Sequence, residues 1–255
     1  MLAMARRSAI ADLLRDAGAV TVTEVETRFG VSPMTARRDL AELERQGIAR
    51  RTHGGAVLPG LASHEDSFLQ RLDIEVDAKE RLADAALALI EPGQALFVDS
   101  STTAYFVARR IVRQNVRCTL LTNAVAILGL VSEVDAPQVD VIGVGGALRK
   151  RTRSLVGPEA VRGVEAHFAD QVLFSVRGIT ADGHLTDPDA LEAEVKHAMV
   201  RRAERAVLLA DGTKFGRAAL TRIAPASDVS VLLAADAPAD ALASMERVGV
   251  EVRRV

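Results

Sequence analysis

The sequence has few of the residues that support disulfide or metal chemistry. Its 255 residues include one cysteine, no tryptophan and 3% aromatic side chains. A single cysteine excludes an intramolecular disulfide and a cysteine-based zinc site, since both need at least two thiols. Cys118 lies in an apolar run, residues 118–121, where a small buried side chain is expected rather than a reactive thiol. No metal site and no cofactor is predicted.

Long apolar runs are also missing. No stretch reaches the roughly 20 residues that a membrane-spanning helix needs. Asp12 and Arg15 interrupt the first residues before the apolar core of a signal peptide can form. We therefore expect a cytoplasmic protein without membrane contact.

Neither sign of charge dominates the chain, whose net charge is −2. The distribution is less even, because residues 1–57 carry nine arginines against seven acidic side chains while the remainder carries a net charge of −4. Four of these arginines are closely spaced: Arg37, Arg38, Arg50 and Arg51. A local basic face on an otherwise mildly acidic protein indicates contacts with phosphate groups.

Three helical patterns follow one another near the N-terminus. Apolar side chains at helical spacing predict a helix over residues 5–17. Thr23 is a good N-cap for a short second helix that ends at Phe29. Gly30 then allows a tight turn into the third pattern.

The third pattern predicts a helix from Ser32, as N-cap, to about Gln46. Pro33 takes its first position, where a missing N–H is harmless. Two helices joined by a tight glycine turn form a helix-turn-helix, whose second helix enters the major groove of DNA. Hydroxyl and arginine side chains at its N-terminal end can contact phosphates or base edges. The side chains presented there would be Ser32, Met34, Thr35, Arg37 and Arg38.

Residues 48–57 predict two short strands around a turn, the position of a wing. Arg50, Arg51 and His53 would lie there near the DNA backbone. Taken singly, each arginine is more often a solvated surface charge, and His53 could equally be a turn residue packed against the wing. The order of cap, turn and basic hairpin favours DNA binding over three packed helices with solvated arginines.

The N-terminal sequence resembles a known family. The segment VSPMTARRDL (residues 31–40), followed by Glu42-Leu43 and RTHGGA (residues 51–56), is similar to the N-terminal signature of the DeoR family of bacterial repressors. Ala36 stands where that signature usually has isoleucine, a change that affects packing more than chemistry. The resemblance implies that residues 1–57 form a winged helix-turn-helix DNA-binding domain.

The rest of the chain predicts a linker and a larger α/β domain. Residues 58–77 mix proline, glycine, serine and charges and indicate a linker, in which Phe68 could dock on either neighbour. In residues 78–255, apolar strands alternate with helices. Strands are predicted over residues 95–99, 118–122, 139–144, 171–175, 206–210, 229–234 and 250–253. Helices are predicted over residues 78–90, 102–114, 124–134, 189–204 and 238–247.

Continuous β-branched runs, rather than alternating ones, indicate strands that are buried on both faces. We therefore expect a mostly parallel sheet covered by helices. In such open sheets ligands bind beyond the carboxyl ends of the strands. The chemistry is accordingly expected in the loops that follow these runs.

Those loops carry groups suited to a small polyhydroxylated anion. Hydroxyl side chains after the first strand lead into a helix N-terminus, whose dipole and open N–H groups favour phosphate. Later loops add glycines for close backbone approach, a carboxylate for hydroxyls and cations for phosphate. The candidates are Asp99, Ser100, Ser101, Thr102, Thr103, Thr122, Asn123, Gly145, Gly146, Arg149, Asp211 and Lys214.

Each of these signals also has an ordinary structural explanation. A serine or threonine after a strand is often only a helix cap, and Gly145-Gly146 alone is a common turn. Arg149 or Lys214 alone would be solvated. Glu192 and Lys196, spaced i,i+4 on a helix, are by default a surface ion pair. A ligand site is favoured for the loop residues because all of these loops follow strands of the same predicted sheet.

Further segments are similar to successive blocks of the DeoR-family C-terminal sensor domain. They are residues 99–103, 122–123, 145–146 and 154–157, the pair Glu192 and Lys196, and residues 211–217. The resemblance thus covers nearly the whole chain, in the family's order. It implies a domain related in fold to ribose-5-phosphate isomerase that binds phosphorylated sugars, and it adds Glu192 and Lys196 to the effector-binding candidates.

Two positions depart from the family's pattern. Ser101 replaces the usual glycine of the phosphate loop and adds a side chain where the backbone would approach the ligand. Gly212-Thr213 replaces the more usual serine before the lysine. Either change could alter the choice of ligand or abolish binding.

Together these patterns predict a sequence-specific transcriptional repressor of sugar-metabolism genes. A phosphorylated sugar bound in the C-terminal domain would control its affinity for double-stranded operator DNA. A homodimer or homotetramer would match two-fold symmetric operators. The sequence leaves open the sugar, the operator, the size of the oligomer and whether the effector releases or promotes DNA binding.

Two other functions are compatible with parts of the sequence. A sugar-phosphate isomerase fused to a DNA-binding module would need a carboxylate base beside the C2 proton, with Asp182, Glu192 and Lys196 as candidates. Residues 178–183 hold one acidic residue where the isomerases carry an acidic pair, so no catalytic residue is assigned. In the other alternative the large domain only assembles the oligomer.

Overall fold

The computed structural model describes residues 3–17, 19–51, 54–57 and 66–255. His53 and residues 58–65 of the predicted linker lie outside the described residues. The N-terminal elements are α1 (Ala3–Ala17), β1 (Ala19–Thr21), α2 (Val22–Phe29), α3 (Pro33–Arg45), β2 (Arg50–Arg51) and β3 (Gly55–Val57).

The N-cap of α2 lies two residues before the predicted N-cap. Thr21 accepts a hydrogen bond from the N–H of Glu24, and the Glu24 carboxylate accepts one from the N–H of Thr21 at 2.7 Å. This reciprocal pair satisfies two backbone donors, which is why Thr21 and not Thr23 caps the helix. Gly30 ends it with φ 62°, a left-handed conformation that suits glycine.

The helix α3 is confirmed, with Ser32 as its N-cap and Pro33 at its first position. Its inner face packs in a core with α1, α2 and β3 whose buried members include Ile10, Leu14, Val25, Ala36, Leu40, Leu43 and Ala56. The predicted wing is a three-stranded sheet, because β1 also pairs antiparallel with β3, which pairs with β2. The N-terminal unit is therefore a winged helix.

The larger unit starts with α4 (Phe68–Leu72), α5 (Val76–Leu87), β4 (Ala95–Val98), α6 (Thr102–Arg113), β5 (Cys118–Thr122), α7 (Val125–Glu133) and β6 (Val139–Gly143). It continues with β7 (Ala147–Arg149), β8 (Ser154–Val156), α8 (Pro158–Glu165), β9 (Ala169–Phe174), β10 (Gly178–Ile179), β11 (His184–Asp187) and α9 (Ala190–Arg202). It ends with β12 (Ala203–Asp211), β13 (Thr221–Pro225), β14 (Val231–Ala235), α10 (Ala239–Arg247) and β15 (Glu251–Arg254).

All seven predicted strands lie in one sheet, in the order β15-β14-β12-β9-β4-β5-β6. Every neighbouring pair in this sheet is parallel, as predicted. The chain starts the sheet at β4, adds β5 and β6 on one side, and then adds β9 and the later strands on the other. The order therefore reverses between β4 and β9, which is where ligands bind in open α/β sheets.

Helices cover both faces of this sheet. On one face α5, α6 and α7 contribute Leu82, Ile111 and Ile127 to a buried cluster with Leu96. On the other face α8, α9 and α10 form a cluster around Phe97. Because successive side chains of a strand point to opposite faces, adjacent residues of β4 serve the two clusters.

Several short elements were not predicted. They are α4, α8, the hairpin of β7 and β8, and a small antiparallel sheet of β10, β11 and β13. Within the predicted linker 58–77, Phe68 is buried against Tyr105 with the two ring centroids 5.6 Å apart. The packed part of the larger unit therefore begins at Phe68 rather than at residue 78. No helix in the described ranges combines the length and the apolar composition that crossing a bilayer requires.

Candidate functional site

A polar cavity lies where the strand order reverses, at the carboxyl ends of β4, β9 and β12. It has an empty volume of about 620 Å³, part of which is open to solvent. Its polar lining comes from α4, α5, the N-terminus of α6, the loop after β9, β11, α9 and the loop after β12. The polar lining side chains are Arg71, Glu75, Lys79, Ser101, Thr102, Thr103, Ser175, Arg177, Asp187, Lys196, Asp211 and Lys214.

The N-terminus of α6 offers open donors to this cavity. Among the described residues, the amides and hydroxyls of Thr102 and Thr103 have no hydrogen-bond partner, and both residues line the cavity. Ser101 caps the helix: its hydroxyl donates to Asp99 Oδ1 at 2.6 Å and accepts from the N–H of Ala104 at 3.1 Å. Its φ of −72° is ordinary for any residue, so a serine here is compatible with the loop. The open donors form a typical site for an anion.

Lys196 is buried between two carboxylates at the base of the cavity. Its Nζ donates to Asp187 Oδ2 at 2.8 Å and to the carbonyl of Ser175 at 2.9 Å, and lies 3.3 Å from Asp99 Oδ2. Burial opposes the charge of Lys196, but Asp187 and Asp99 outweigh it and raise the pKa of the ammonium above its usual value. Burial also raises the pKa of Asp99. Lys196 is thus a charged, fully bonded side chain.

The expected surface ion pair of Glu192 with Lys196 is not what the structure contains. Glu192 is buried, and its carboxylate accepts hydrogen bonds from the hydroxyls of Ser100, at 3.0 Å, and Ser154. Arg149 lies 3.5 Å from the same carboxylate and 3.2 Å from Asp189. Ser100 and Glu192 line a smaller cleft that adjoins the cavity. Because the helix faces inward, both members of the pair have other partners.

Two further lysines of the cavity, Lys79 and Lys214, lie among other cations. Burial, together with repulsion from Lys214 and Arg71, lowers the pKa of Lys79 to about 8. Burial also lowers the pKa of Lys214, and Arg177 adds to this effect. Asp211 lies 3.4 Å from Lys214; burial alone would raise the pKa of Asp211, but Lys214 and Thr213 lower it. An anion placed among these side chains would relieve their mutual repulsion.

Eight predicted residues do not line this cavity. Ser100 and Glu192 line the adjoining cleft, while Asp99 contacts Lys196 and Arg149 contacts Glu192. The other four are Thr122, Asn123, Gly145 and Gly146. The Thr122 hydroxyl donates to the carbonyl of Val98 at 2.6 Å, and the Asn123 amide donates to a backbone carbonyl. Gly145 and Gly146 precede β7 and have φ of 78° and 115°. A Cβ on Gly146 would lie 2.8 Å from backbone and from the Cβ of a residue in α8. The contacts of Thr122, Asn123 and Gly146 are therefore with the sheet and the hairpin.

Sequence reasoning missed three cations of the cavity: Arg71, Lys79 and Arg177. Two of them come from α4 and α5, and the third follows β9 without a recognisable motif. One signal was available, since the chain has only four lysines among 32 lysine and arginine residues. Three of these four line the cavity.

Five of the predicted DNA-binding residues lie in the N-terminal half of α3 and at its cap. Arg37 and Arg38 are exposed, and within the described part of the chain neither has an ion-pair partner. Arg6, by contrast, lies 2.6 Å from the carboxylate of Asp39, and Arg45 lies 2.6 Å from Glu42. The arginines on the outer face of α3 are therefore available to an incoming anion.

The other candidates on this unit are placed less uniformly. Met34 is 72% exposed, whereas the hydroxyls of Ser32 and Thr35 are 3.0 Å apart at the helix cap. Arg50 and Arg51 lie in β2, and Arg51 is exposed. The structure thus brings the residues of α3 together in one exposed face.

The two units define the class of the protein: a winged-helix DNA-binding protein that carries an additional α/β domain with a cationic cavity. Family comparison agrees with this division. Residues 6–60 match the DeoR-like helix-turn-helix domain, and residues 74–235 match the DeoR C terminal sensor domain. The chain belongs to the DeoR family of transcriptional regulators.

Its relatives match almost over their full length. The HTH-type transcriptional regulator GlpR of Haloferax volcanii is 32% identical over 99% of this chain and 98% of its own length. The HTH-type transcriptional repressor GlcR of Bacillus subtilis is 30% identical over 97% and 94%. The glycerol-3-phosphate regulon repressor of Escherichia coli K12 is 32% identical over 91% and 90%. Among solved structures, ribose 5-phosphate isomerase A of Methanocaldococcus jannaschii gives a TM-score of 0.40 at 14% identity, over 55% of this chain and 54% of that one.

Proposed function

We propose that this protein is a transcriptional repressor whose DNA affinity is controlled by a small phosphorylated sugar or polyol. The observation that carries the proposal is the charge of the cavity. Five cationic side chains and three carboxylates line it, which leaves a net charge of +2. A phosphate monoester carries about −1.5 to −2 at neutral pH and would balance this charge. Relatives named as repressors, one of them of a glycerol-3-phosphate regulon, support the same function.

The geometry suggests how such a ligand would bind. The open amides and hydroxyls of Thr102 and Thr103 would hold the phosphate, with Lys214 supplying charge-assisted hydrogen bonds. The carboxylates of Asp187 and Asp211, on the same lining, would accept hydrogen bonds from the ligand's hydroxyls. A cavity with both kinds of group would bind a phosphorylated polyol more tightly than inorganic phosphate.

DNA would be bound by the exposed face of α3. Two copies of the chain would place two such faces on a two-fold symmetric operator, so we propose a homodimer or a homotetramer. A ligand that prefers the DNA-incompetent arrangement must weaken DNA binding by the same factor by which DNA weakens ligand binding. The protein would accordingly act in the cytoplasm, where operator DNA and sugar phosphates occur together.

We further propose that the cavity is not an isomerase active site. Asp182 lies in the exposed turn between β10 and β11 and does not line the cavity, and the hydrogen bond from Thr180 lowers the pKa of its carboxyl. Lys196, whose pKa is raised, is a poor general base at neutral pH. Conversion of ribose 5-phosphate that disappears with Glu192→Gln would contradict this part of the proposal.

Calorimetric titration of the full chain tests ligand binding. Inorganic phosphate, glycerol 3-phosphate and ribose 5-phosphate are each compared with glycerol and ribose. We expect heat from inorganic phosphate and from both phosphorylated compounds but not from glycerol or ribose, and a loss of at least about tenfold in affinity with Lys214→Ala, the worth of one charge-assisted hydrogen bond. Lys150→Ala is the matched control, because Lys150 is an exposed lysine that does not line this cavity.

DNA control needs its own measurement. Fluorescence anisotropy follows binding to DNA from upstream of the protein's gene, before and after addition of the compound that gave heat. A bound compound that leaves DNA affinity unchanged would contradict ligand control. Absence of heat with the whole panel at millimolar concentration would favour a large domain that only assembles the oligomer.

A further inference from the structure

A short segment carries the chain into the α/β unit. Residues 66–75, here called the strap, contain α4 and end where α5 begins. Asp66 lies nine positions after Val57, the end of β3. The N–H of Phe68 donates to the carbonyl of Arg151 at 2.8 Å, and the Phe68 ring is buried against Tyr105. The strap is therefore anchored on the α/β unit and lies on the covalent path to the winged helix.

The strap also reaches into the cavity. Arg71, in α4, lines both the cavity and the adjoining cleft. Its Nε is buried and, among the described residues, has no hydrogen-bond partner. Lys79 holds the end of α4 by donating to the carbonyls of Arg71 and Ile74. An anion in the cavity would thus meet a cation that belongs to the strap itself.

A second contact joins the strap to the cavity through Arg177. This residue follows β9 and lines the cavity, where it lies near enough to Lys214 to lower that lysine's pKa. Its guanidinium also lies 3.6 Å from Asp66 Oδ2 at the beginning of the strap. Both side chains are about one-third exposed. Arg177 therefore faces Asp66 on one side and the ligand's space on the other.

We propose that Asp66 competes with the bound anion for Arg177, so that occupation of the cavity releases the N-terminal end of the strap. The inference rests on the proposed function, because it needs an anion in the cavity. Two anions that share one guanidinium weaken each other's binding by the same factor. Asp66 is thereby a positioning residue on the path to the DNA-binding unit, and Arg177 is an additional ligand-binding residue.

Calorimetric titration of the full chain with inorganic phosphate tests the competition. Asp66→Asn removes the competing charge and should tighten phosphate binding about two- to fivefold, the range of a partly exposed ion pair. Asp73→Asn is the matched control: Asp73 is an exposed residue of the same strap, and the charge change is the same. Equal tightening by both variants would reduce the effect to general electrostatics and overturn the proposal.

A double-mutant cycle separates the pair from its surroundings. Arg177→Gln should weaken phosphate binding, and adding Asp66→Asn to it should have no further effect. If Asp66→Asn still tightens binding in the Arg177→Gln background, Asp66 acts on another cation and the proposal is wrong.

Backbone hydrogen exchange followed by mass spectrometry tests the release of the strap. Phosphate should raise the exchange of the peptide that begins at residue 66 in the wild type and in Asp73→Asn. In Asp66→Asn that exchange should already be raised without phosphate. A phosphate-induced decrease in the wild type would overturn the proposal.

The two proposals fail in different ways. A wild-type chain that binds neither phosphate nor the phosphorylated compounds contradicts the proposed function, and with it the competition. Normal phosphate binding that Asp66→Asn leaves unchanged contradicts the competition alone.

Discussion

The two basic regions of this protein differ in what surrounds their cations. Arg37 and Arg38 lie on the outer face of α3, exposed and without an ion-pair partner among the described residues. Lys79 and Lys214 lie inside a cavity, beside further cations, and burial lowers the pKa of both. The arginines of α3 are charged and hydrated. The lysines of the cavity are also charged at neutral pH, but desolvation and repulsion between cations make this charge less favourable.

This difference corresponds to two kinds of anion. Exposed cations suit an extended polyanion such as DNA, which they bind by displacing counterions, so that binding weakens as salt rises. Enclosed cations suit a small anion that enters the cavity and neutralises them, so that binding depends on pH. Residue type follows the same division in part, because a buried lysine can be deprotonated in a protein whereas an arginine cannot, although Arg71 and Arg177 also line the cavity. The outer face of α3 has arginines, and three of the chain's four lysines line the cavity.

The largest effect is expected on the exposed side of the comparison. Arg37→Ala or Arg38→Ala should each reduce DNA affinity by about 1–3 kcal/mol and leave phosphate binding unchanged. Fluorescence anisotropy with DNA from upstream of the gene measures the loss. Arg45→Ala is the control, because Arg45 is held by Glu42 at the other end of α3. Equal losses from all three variants would mean that α3 does not present a specific face to DNA.

The next effect concerns the turn before β7, which does not line the cavity. Gly146→Ala should lower the free energy of unfolding by about 1–3 kcal/mol, since the added Cβ meets backbone and α8 at 2.8 Å and φ is positive. Urea unfolding measures this loss. Gly145→Ala, also at positive φ but with open space around it, should cost less. Unchanged phosphate binding is expected in both variants, and weaker binding would place these glycines in the ligand site.

A smaller effect is the pH dependence that only the enclosed cations should show. The anion stabilises the protonated form of Lys79, whose pKa is lowered to about 8. Affinity for the phosphate dianion should therefore fall about tenfold between pH 7.5 and 9, as Lys79 loses its charge. Calorimetry at pH 8 in two buffers of different ionisation enthalpy should show an uptake of about half a proton. An affinity that rises over this range would contradict the arrangement of charges.

The smallest effect should follow from the cap of α6. Ser101→Ala removes a hydroxyl that caps the helix and donates to Asp99, and should cost about 1 kcal/mol of stability. Thermal unfolding measures this cost. Ser101→Thr keeps the hydroxyl and should be close to neutral. If Ser101→Ala is as stable as Ser101→Thr, the hydroxyl does not serve as the cap.

Much of the fold could be predicted because its central strands are buried. Continuous apolar runs such as residues 118–122 indicate a covered sheet, and all seven predicted runs join one sheet, although the edge strands β6 and β15 are largely exposed. The short elements could not be predicted in this way. The helix α4 has a single buried anchor, Phe68, and β10 has two residues, so neither shows a period.

The cavity could be predicted in part. Carboxyl ends of neighbouring parallel strands meet at one edge, which is why residues 99–103 and Lys214 come together. Thr122 is also at the carboxyl end of a strand, β5, but it does not line the cavity. Its hydroxyl donates a hydrogen bond to the backbone carbonyl of Val98 in β4. Arg71 and Arg177 escaped prediction because no motif surrounds them and only the folded chain brings them together.

The sequence by itself determined the family, the winged helix and the parallel sheet, because caps, turns and apolar runs act through near neighbours in the chain. Only the tertiary structure decided which charged groups share a cavity. Lys196 has the same i,i+4 spacing from Glu192 as a surface pair would have, yet it is bound by Asp187 and Asp99. The physical reason is that the charge state and partners of a side chain depend on burial and on groups distant in sequence, which spacing along the chain does not encode.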